Sequence, residues 1–258
     1  MQIPFYKYQG TGNDFVVIDN RDLKLDASNP DYAKKLCDRK FGIGSDGLIL
    51  LQKHDEYDFE MVFFNPDGSQ SMCGNGSRCA VMFAKHLGMI KDQTTFLSTD
   101  GVHTASIEGE IVKLSMHDVK ADRIQEFDDH MTINTGSPHF VVFTSNLDHK
   151  DVKHEGAAIR YSDDFKAEGI NVNFVEKQST SKISVRTYER GVEDETLSCG
   201  TGVTACAIAH IMHGGSSPVS ISTKGGELSV SCSFKGGEAE EVFLIGPAKK
   251  VFEGTINL

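Results

Sequence analysis

The chain has no apolar run near the ~20 residues needed to cross a bilayer. Its first residues, Met1 to Lys7, show neither the basic start nor the long apolar stretch of a signal peptide. Both absences point to a cytoplasmic address and no membrane partner. No Lys/Arg cluster is longer than a pair, and 26 basic residues face 37 acidic ones, a net charge of −11. The basic face of a nucleic-acid binder is therefore missing, and no nucleic-acid partner is expected. The acidic balance reads as solvated surface. No Cys-x-x-Cys occurs among the cysteines at 37, 73, 79, 199, 206 and 232. The usual zinc and thioredoxin-like spacings are thus excluded, and no metal is expected. In a reducing cytosol these are free thiols, and Cys37, Cys79, Cys206 and Cys232 read as small buried hydrophobes. No lysine stands out as a pyridoxal phosphate anchor, so no cofactor is expected. No Pro/Ser-rich linker divides the chain.

What is present is a long series of alternating, strand-like segments: 5–8, 15–18, 48–51, 59–64, 95–98, 103–107 and 111–116, then 140–144, 172–176, 183–188, 219–222, 227–233 and 241–245. Gly-Gly at 225–226 and 236–237 reads as turn punctuation. Helices are few. Asn29-Pro30-Asp31 opens one with a cap residue, a proline at the first position and an early acid, and Gly42 is placed to close it. Two others, from about 76 to 87 and from about 202 to 213, end at Gly88 and Gly214. Both are apolar nearly all round, which predicts buried helices inside a wrapped sheet.

These two helices expose a faint internal repeat. Met72-Cys73-Gly74-Asn75-Gly76 leads into the first, and Ser198-Cys199-Gly200-Thr201-Gly202 into the second. The expected fold is α+β: two pseudo-symmetric domains, each a mixed sheet curled into a barrel around a central buried helix. The expected boundaries are 1–116, completed by 248–258, and 117–247.

A thiol at a helix start lies beside unpaired backbone N–H groups and the positive end of the dipole, which favours thiolate. The same N–H groups can hold a carboxylate. One such site is as easily a structural turn. Two in equivalent positions, facing each other, would place one thiol on either side of a substrate carbon and would also oxidise readily to a disulfide. Inverting a stereocentre needs that arrangement: one base removes the α-proton and one acid returns a proton to the opposite face.

The combination of Gly10-Thr11-Gly12-Asn13-Asp14-Phe15, Phe64-Asn65-Pro66-Asp67-Gly68-Ser69, the first Cys-Gly-Asn-Gly, Gly136-Ser137-Pro138-His139, Gly169-Ile170-Asn171-Val172-Asn173-Phe174, Tyr188-Glu189-Arg190-Gly191 and the second Cys-Gly-Thr-Gly resembles the diaminopimelate epimerase family over nearly the whole chain. The resemblance implies cofactor-free interconversion of L,L- and meso-diaminopimelate, serving lysine and cell-wall synthesis, with a small amino-acid substrate and a homodimer as the assembly to test. It implies Cys73 and Cys199 as the base and acid pair. Gly74-Asn75 and Gly200-Thr201 match the groups that hold the reacting carboxylate. Asn13, Asn65, Asn171, Glu189 and Arg190 match substrate-binding positions, and His139 and Glu189 match residues that tune the cysteines. Two departures stand out: Gly47 and Ser137 occupy positions where the family often has a carboxamide.

Competing readings are weaker. Gly42-Ile43-Gly44-Ser45-Asp46-Gly47 fits a dinucleotide fingerprint as text, but a helix precedes it and a strand follows, the reverse of what that site needs. His210 and His213 have metal-ligand spacing, yet a last-turn surface role suits them better. Asn13, Asn65 and Asn171 could be turn residues, Arg190 a surface ion-pair member, and His139 a satisfied core histidine. A proline or hydroxyproline racemase shares the two-cysteine logic, but typically has histidine after the first Cys-Gly and aspartate near the second cysteine, where this chain has Asn75 and Glu189-Arg190. A thiol redox protein would leave the duplicated carboxylate sites without purpose, and a non-catalytic binding module would not need both thiols.

Overall fold

The computed structural model describes residues 1–258, which separate into two compact units: Met1–Leu114 with Gly246–Leu258, and Ser115–Ile245. No helix is long and apolar enough to cross a membrane.

Unit 1 holds β1 (Gln2–Gly10), β2 (Asn13–Asp19), α1 (Asp31–Cys37), β3 (Gly47–Gln52), β4 (Phe59–Phe64), α2 (Gly74–His86), β5 (Gln93–Ser98), β6 (Gly101–Glu108) and β7 (Ile111–Ser115). The C-terminal strand β17 (Lys249–Asn257) joins it by pairing antiparallel with β1. From β17 through β1 to β7, successive pairings are antiparallel, antiparallel, parallel, antiparallel, parallel, antiparallel and antiparallel. Both parallel steps are helical crossovers, through α1 and α2, as parallel neighbours require.

Unit 2 holds β8 (Ile124–Glu126), β9 (Met131–Asn134), β10 (Pro138–Phe143), α3 (Val152–Arg160), β11 (Asn171–Lys177), β12 (Lys182–Glu189), β13 (Asp194–Thr196), α4 (Gly200–Met212), β14 (Val219–Thr223), β15 (Gly226–Lys235) and β16 (Glu238–Pro247). Leaving aside β13, a short strand paired to β12, the pairings from β8 to β16 follow the same seven-step pattern. The internal repeat seen in two short motifs thus extends to the complete strand order of each unit.

Each sheet curls around its own helix. α2 packs on β1, β2, β3 and β4, and α4 on β9, β10, β11, β12, β14 and β15. The second helix of each unit covers the outside. In unit 1, Ala33 and Leu36 of α1 cluster with Val16, Ile18, Leu48 and Leu50. β3 is therefore buried along its full length, which explains why Leu48-Ile49-Leu50-Leu51 is a continuous apolar run rather than an alternating one. In unit 2, Val152 of α3 packs with Phe140, Val172, Phe174 and Tyr188.

Several local expectations need correction. α1 stops at Cys37, five residues short of Gly42, because Asp38 turns extended and its carboxylate takes the N–H groups of Lys40 and Phe41 at 2.7 and 2.8 Å. Pro30 is the cap residue itself, not the first helical position. α2 and α4 begin two residues earlier than expected, at Gly74 and Gly200. Each ends, as its sequence indicates, before a left-handed glycine, Gly88 (φ +70°) and Gly214 (φ +83°). α3 leaves no clear helical pattern in the sequence because Gly156 interrupts it. A Cβ there would meet the Tyr188 Cβ at 2.4 Å, so helix propensity gives way to close helix–strand approach. His210 is buried, not on the surface: its Nε2 lies 3.0 Å from the Thr180 carbonyl.

Candidate active site

Each unit carries one thiol at the N-cap of its central helix. Cys73 (φ −135°, ψ 104°) and Cys199 (φ −121°, ψ 114°) share the same extended cap conformation, and each carbonyl receives the first helical N–H, from Ser77 at 2.8 Å and Val203 at 2.9 Å. Neither is joined in a disulfide. The local surroundings differ. Cys73 Sγ accepts the Gly76 N–H at 3.4 Å. Cys199 Sγ is instead 3.5 Å from the Thr201 hydroxyl. Burial pushes the thiols of the other four cysteines, Cys37, Cys79, Cys206 and Cys232, up, that of Cys232 to about 11.

In unit 1 the Cys73 thiol lies 3.8 Å from Asn13 Oδ1, which also accepts from the Asn75 amide at 3.2 Å. The Asn13 amide is oriented by Asp46, whose Oδ2 accepts from Asn13 Nδ2 at 2.8 Å and from the Asp14 N–H at 3.2 Å. Behind them, Arg39 bridges Asp14 and Asp46 at 2.7 Å each, and the buried Lys7 pairs with Asp14 at 2.6 Å and donates to the Gly44 carbonyl. Burial works to raise the Asp14 pKa, but the hydrogen bonds and charges of Arg39 and Lys7 hold it below the usual carboxylate range. Gly47 has no room for the family's carboxamide, since a Cβ would meet Phe63 Cε2 at 2.5 Å.

Arg78, in the second turn of α2, is fully buried with no carboxylate partner; its guanidinium reaches only the carbonyls of Gly74 and Pro247 and the Thr11 hydroxyl, at 3.3 to 3.5 Å. Its charge therefore acts close to the turn that carries Cys73. Asn65 sits on the loop before Cys73, where its amide donates to Ser69 and Ser71 at 3.0 and 3.1 Å.

In unit 2, His139 is fully buried, with Nε2 at 2.9 Å from the Thr201 hydroxyl and Nδ1 at 3.2 Å from the Asn173 amide. Asn171 acts as a strut. Its amide donates to Ser137 Oγ and the Pro138 carbonyl at 2.9 and 3.0 Å, and its carbonyl accepts the Arg190 N–H at 3.0 Å. Ser137 thus serves the turn that carries His139. The exposed Arg190 side chain donates to the carbonyls of Glu168 and Gly169 and meets no carboxylate. The Glu189 carboxylate accepts from Thr196 at 2.8 Å. Gly200 and Thr201 form the first turn of α4.

A model of the diaminopimelate epimerase family matches residues 5–121 and 131–251. The chain belongs to the diaminopimelate epimerase family. It is 53% identical to the diaminopimelate epimerase of Flavobacterium psychrophilum, covering 97% of this chain and 99% of that protein. It is 44% identical to that of Aquifex aeolicus, covering 98% and 97%. Solved structures with the same fold include a phenazine biosynthesis protein of the PhzF family from Bacillus anthracis, with TM-score 0.73, 14% identity and full coverage of both chains. A hydroxyproline epimerase from Agrobacterium vitis superposes with TM-score 0.71 at 15% identity over 99% of this chain and 91% of that one. At such identities these two speak for the fold alone.

The residues that family motifs single out are accompanied by others that no sequence pattern marks: Asp46, Arg78, Asn173 and Thr187. Asp46 and Asn173 both lie inside motifs quoted for other residues. Two expected results follow from the packing here. A Cβ at Gly202 would meet Asn173 Oδ1 at 2.6 Å, whereas one at Gly76 has its nearest neighbour at 3.4 Å. Gly202→Ala should therefore cost about 1–3 kcal/mol by overpacking, while Gly76→Ala should be near neutral, as chemical denaturation of each variant would show. The second concerns acid. Burial, aided by the charge of Arg190, pushes His139 down from 6.5 to about 3. The unfolded chain then binds the extra proton between those values, so stability present above pH 6.5 is lost as pH falls toward 3. Denaturation midpoints across this window should fall less steeply for His139→Gln; an unchanged slope would remove His139 as the cause.

Proposed function

We propose that this chain interconverts L,L- and meso-diaminopimelate without a cofactor, supplying lysine and peptidoglycan precursor synthesis in the cytoplasm. One thiolate takes the α-proton, leaving a carbanion whose charge spreads onto the carboxylate. The other thiol then delivers its own proton to the opposite face. Cys73 and Cys199 are the pair, and they exchange roles when the direction reverses. Gly74-Asn75 and Gly200-Thr201 offer helix-start N–H groups to the reacting carboxylate, where charge develops in the transition state. Asn13, Asn65, Asn171, Glu189 and Arg190 hold the substrate, the planar guanidinium of Arg190 being the group suited to fork onto a carboxylate. The substrate is a small amino acid, with neither nucleic acid nor membrane as partner, and a homodimer is the assembly to test by sedimentation.

The observation that carries this reading is the repetition of a thiol at the N-cap of a central buried helix in both units. A redox protein or a binding module has no use for that duplication. The test is incubation with L,L-diaminopimelate and separation of the stereoisomers: the mixture should approach equilibrium with the meso form from either side. A chain that leaves both isomers untouched in the presence of reductant does not have this function.

A further inference from the structure

Unit 2 contains a line of polar side chains leading to Cys199, and one backbone carbonyl fixes the direction of every hydrogen bond in it. One end of the Asn173 carboxamide lies 3.0 Å from the Phe140 carbonyl and 3.2 Å from His139 Nδ1. A carbonyl only accepts, so this end must be the NH2. The opposite end, 3.0 Å from the Thr187 hydroxyl, is then the oxygen, and Thr187 donates to it. The amide's second hydrogen points at His139 Nδ1, which must be bare. A neutral imidazole with Nδ1 bare carries its proton on Nε2. That N–H donates to the Thr201 hydroxyl at 2.9 Å. Thr201 has then accepted, and its own hydrogen is free to point at Cys199 Sγ, 3.5 Å away.

We infer that Asn173, held by Thr187, is a positioning residue that locks His139 as the neutral Nε2–H tautomer, so that the Thr201 hydroxyl is a committed donor to the Cys199 thiolate. His139 on this account never takes the substrate proton. It is a polarised strut whose only outlet is Thr201. The environment enforces the neutral form, because a proton on Nδ1 would face the Asn173 NH2, and Arg190 adds its positive charge. The glycine of the second motif belongs to the same device. Gly202 is where the first turn of α4 passes over Asn173 and His139, and a Cβ there would strike Asn173 Oδ1 at 2.6 Å and crowd His139 Cε1 at 3.3 Å. Unit 1 has a different solution, in which Cys73 accepts a backbone N–H from Gly76.

This inference rests on the assignment of Cys199 to proton transfer, but its first test needs no substrate. Long-range proton–nitrogen correlation spectra of the 15N-labelled full chain, with His139 assigned by comparison to His139→Gln, should show a bare Nδ1 and a protonated Nε2 at neutral pH. The opposite tautomer, or an imidazolium, overturns the inference. The second test is a double-mutant cycle, reading the pH midpoint of iodoacetamide alkylation at Cys199 and at Cys73 by mass spectrometry. Thr201→Val should raise the Cys199 midpoint by about one pH unit, the worth of one hydrogen bond to a charged sulfur. Asn173→Asp should move the His139 proton to Nδ1 and turn the Thr201 hydroxyl away. Adding Thr201→Val to it should then change nothing further. A purely electrostatic effect of the new carboxylate would add to that of Thr201→Val, and additivity overturns the inference. Cys73 should keep its midpoint throughout. If diaminopimelate is not turned over while the spectra and the cycle come out as stated, the proposed substrate fails and the hydrogen-bond relay stands.

Discussion

Cys73→Ala and Cys199→Ala should each abolish epimerisation in both directions, lowering turnover by about 10³-fold or more. Each direction needs one base and one acid on opposite faces, and neither residue has a substitute, because the remaining cysteines are held protonated by burial. The two variants should differ in stability. Cys73 caps its helix through the Gly76 N–H, whereas the Cys199 side chain makes no such bond. Cys73→Ala should therefore unfold about 1 kcal/mol sooner than Cys199→Ala relative to the loss of the side chain itself. Separate assays from the L,L and the meso substrate, with denaturation curves alongside, check both statements. Near-normal turnover by either variant in either direction would end the two-base account.

Specificity is the second large effect. Diaminopimelate carries an amino acid at each end, and the enzyme must hold the far end while it inverts the near one. Arg190 and Glu189 are the charged groups assigned to that task, and the Arg190 guanidinium is held only by the carbonyls of Glu168 and Gly169. An amino acid without a far end, such as L-proline or L-alanine, would forgo every contact proposed for those two groups in the transition state. The expected loss in kcat/KM is about 10⁴-fold, as for other sites built to hydrogen-bond a group that a rival substrate lacks. Arg190→Lys should cost about tenfold to a hundredfold on diaminopimelate, because an ammonium does not reproduce the planar fork. Parallel kcat/KM values for L,L-diaminopimelate, L-proline and trans-4-hydroxy-L-proline on one preparation decide the matter. Comparable turnover of either proline would overturn the substrate while leaving the cysteine chemistry in place.

The parts of this protein that were legible in its sequence are those whose signal is local. Cys73 and Cys199 announce themselves because a cysteine, two glycines and an apolar helix are contiguous. The buried strand β3 shows as an unbroken apolar run, Leu48 to Leu51. α3 was hidden because the feature that lets it dock, Gly156, is the one that weakens its helical pattern. Gly42 resembles a helix stop in the sequence, but the Asp38 carboxylate ends the helix at Cys37. Asp46 and Asn173 illustrate a different blind spot. Each is defined by a partner 33 or 34 residues away, Asn13 and His139 respectively. No spacing rule links such pairs before the strands are registered. The burial of His210 is not legible for a related reason: its partner, the Thr180 carbonyl, lies on a loop 30 residues upstream.

The central claim is that two different groups handle the proton. Its most direct test is the first few per cent of conversion of protiated L,L-diaminopimelate in deuterated water. The account predicts that the meso product carries one α-deuterium from its first appearance while the remaining L,L substrate stays protiated. The base that removes the substrate hydrogen is not the acid that supplies the new one, and that acid has already equilibrated with solvent. Product that instead retains the substrate's own α-hydrogen would mean that a single group carries it from one face to the other, and would contradict the assignment of Cys73 and Cys199 as a base and acid pair.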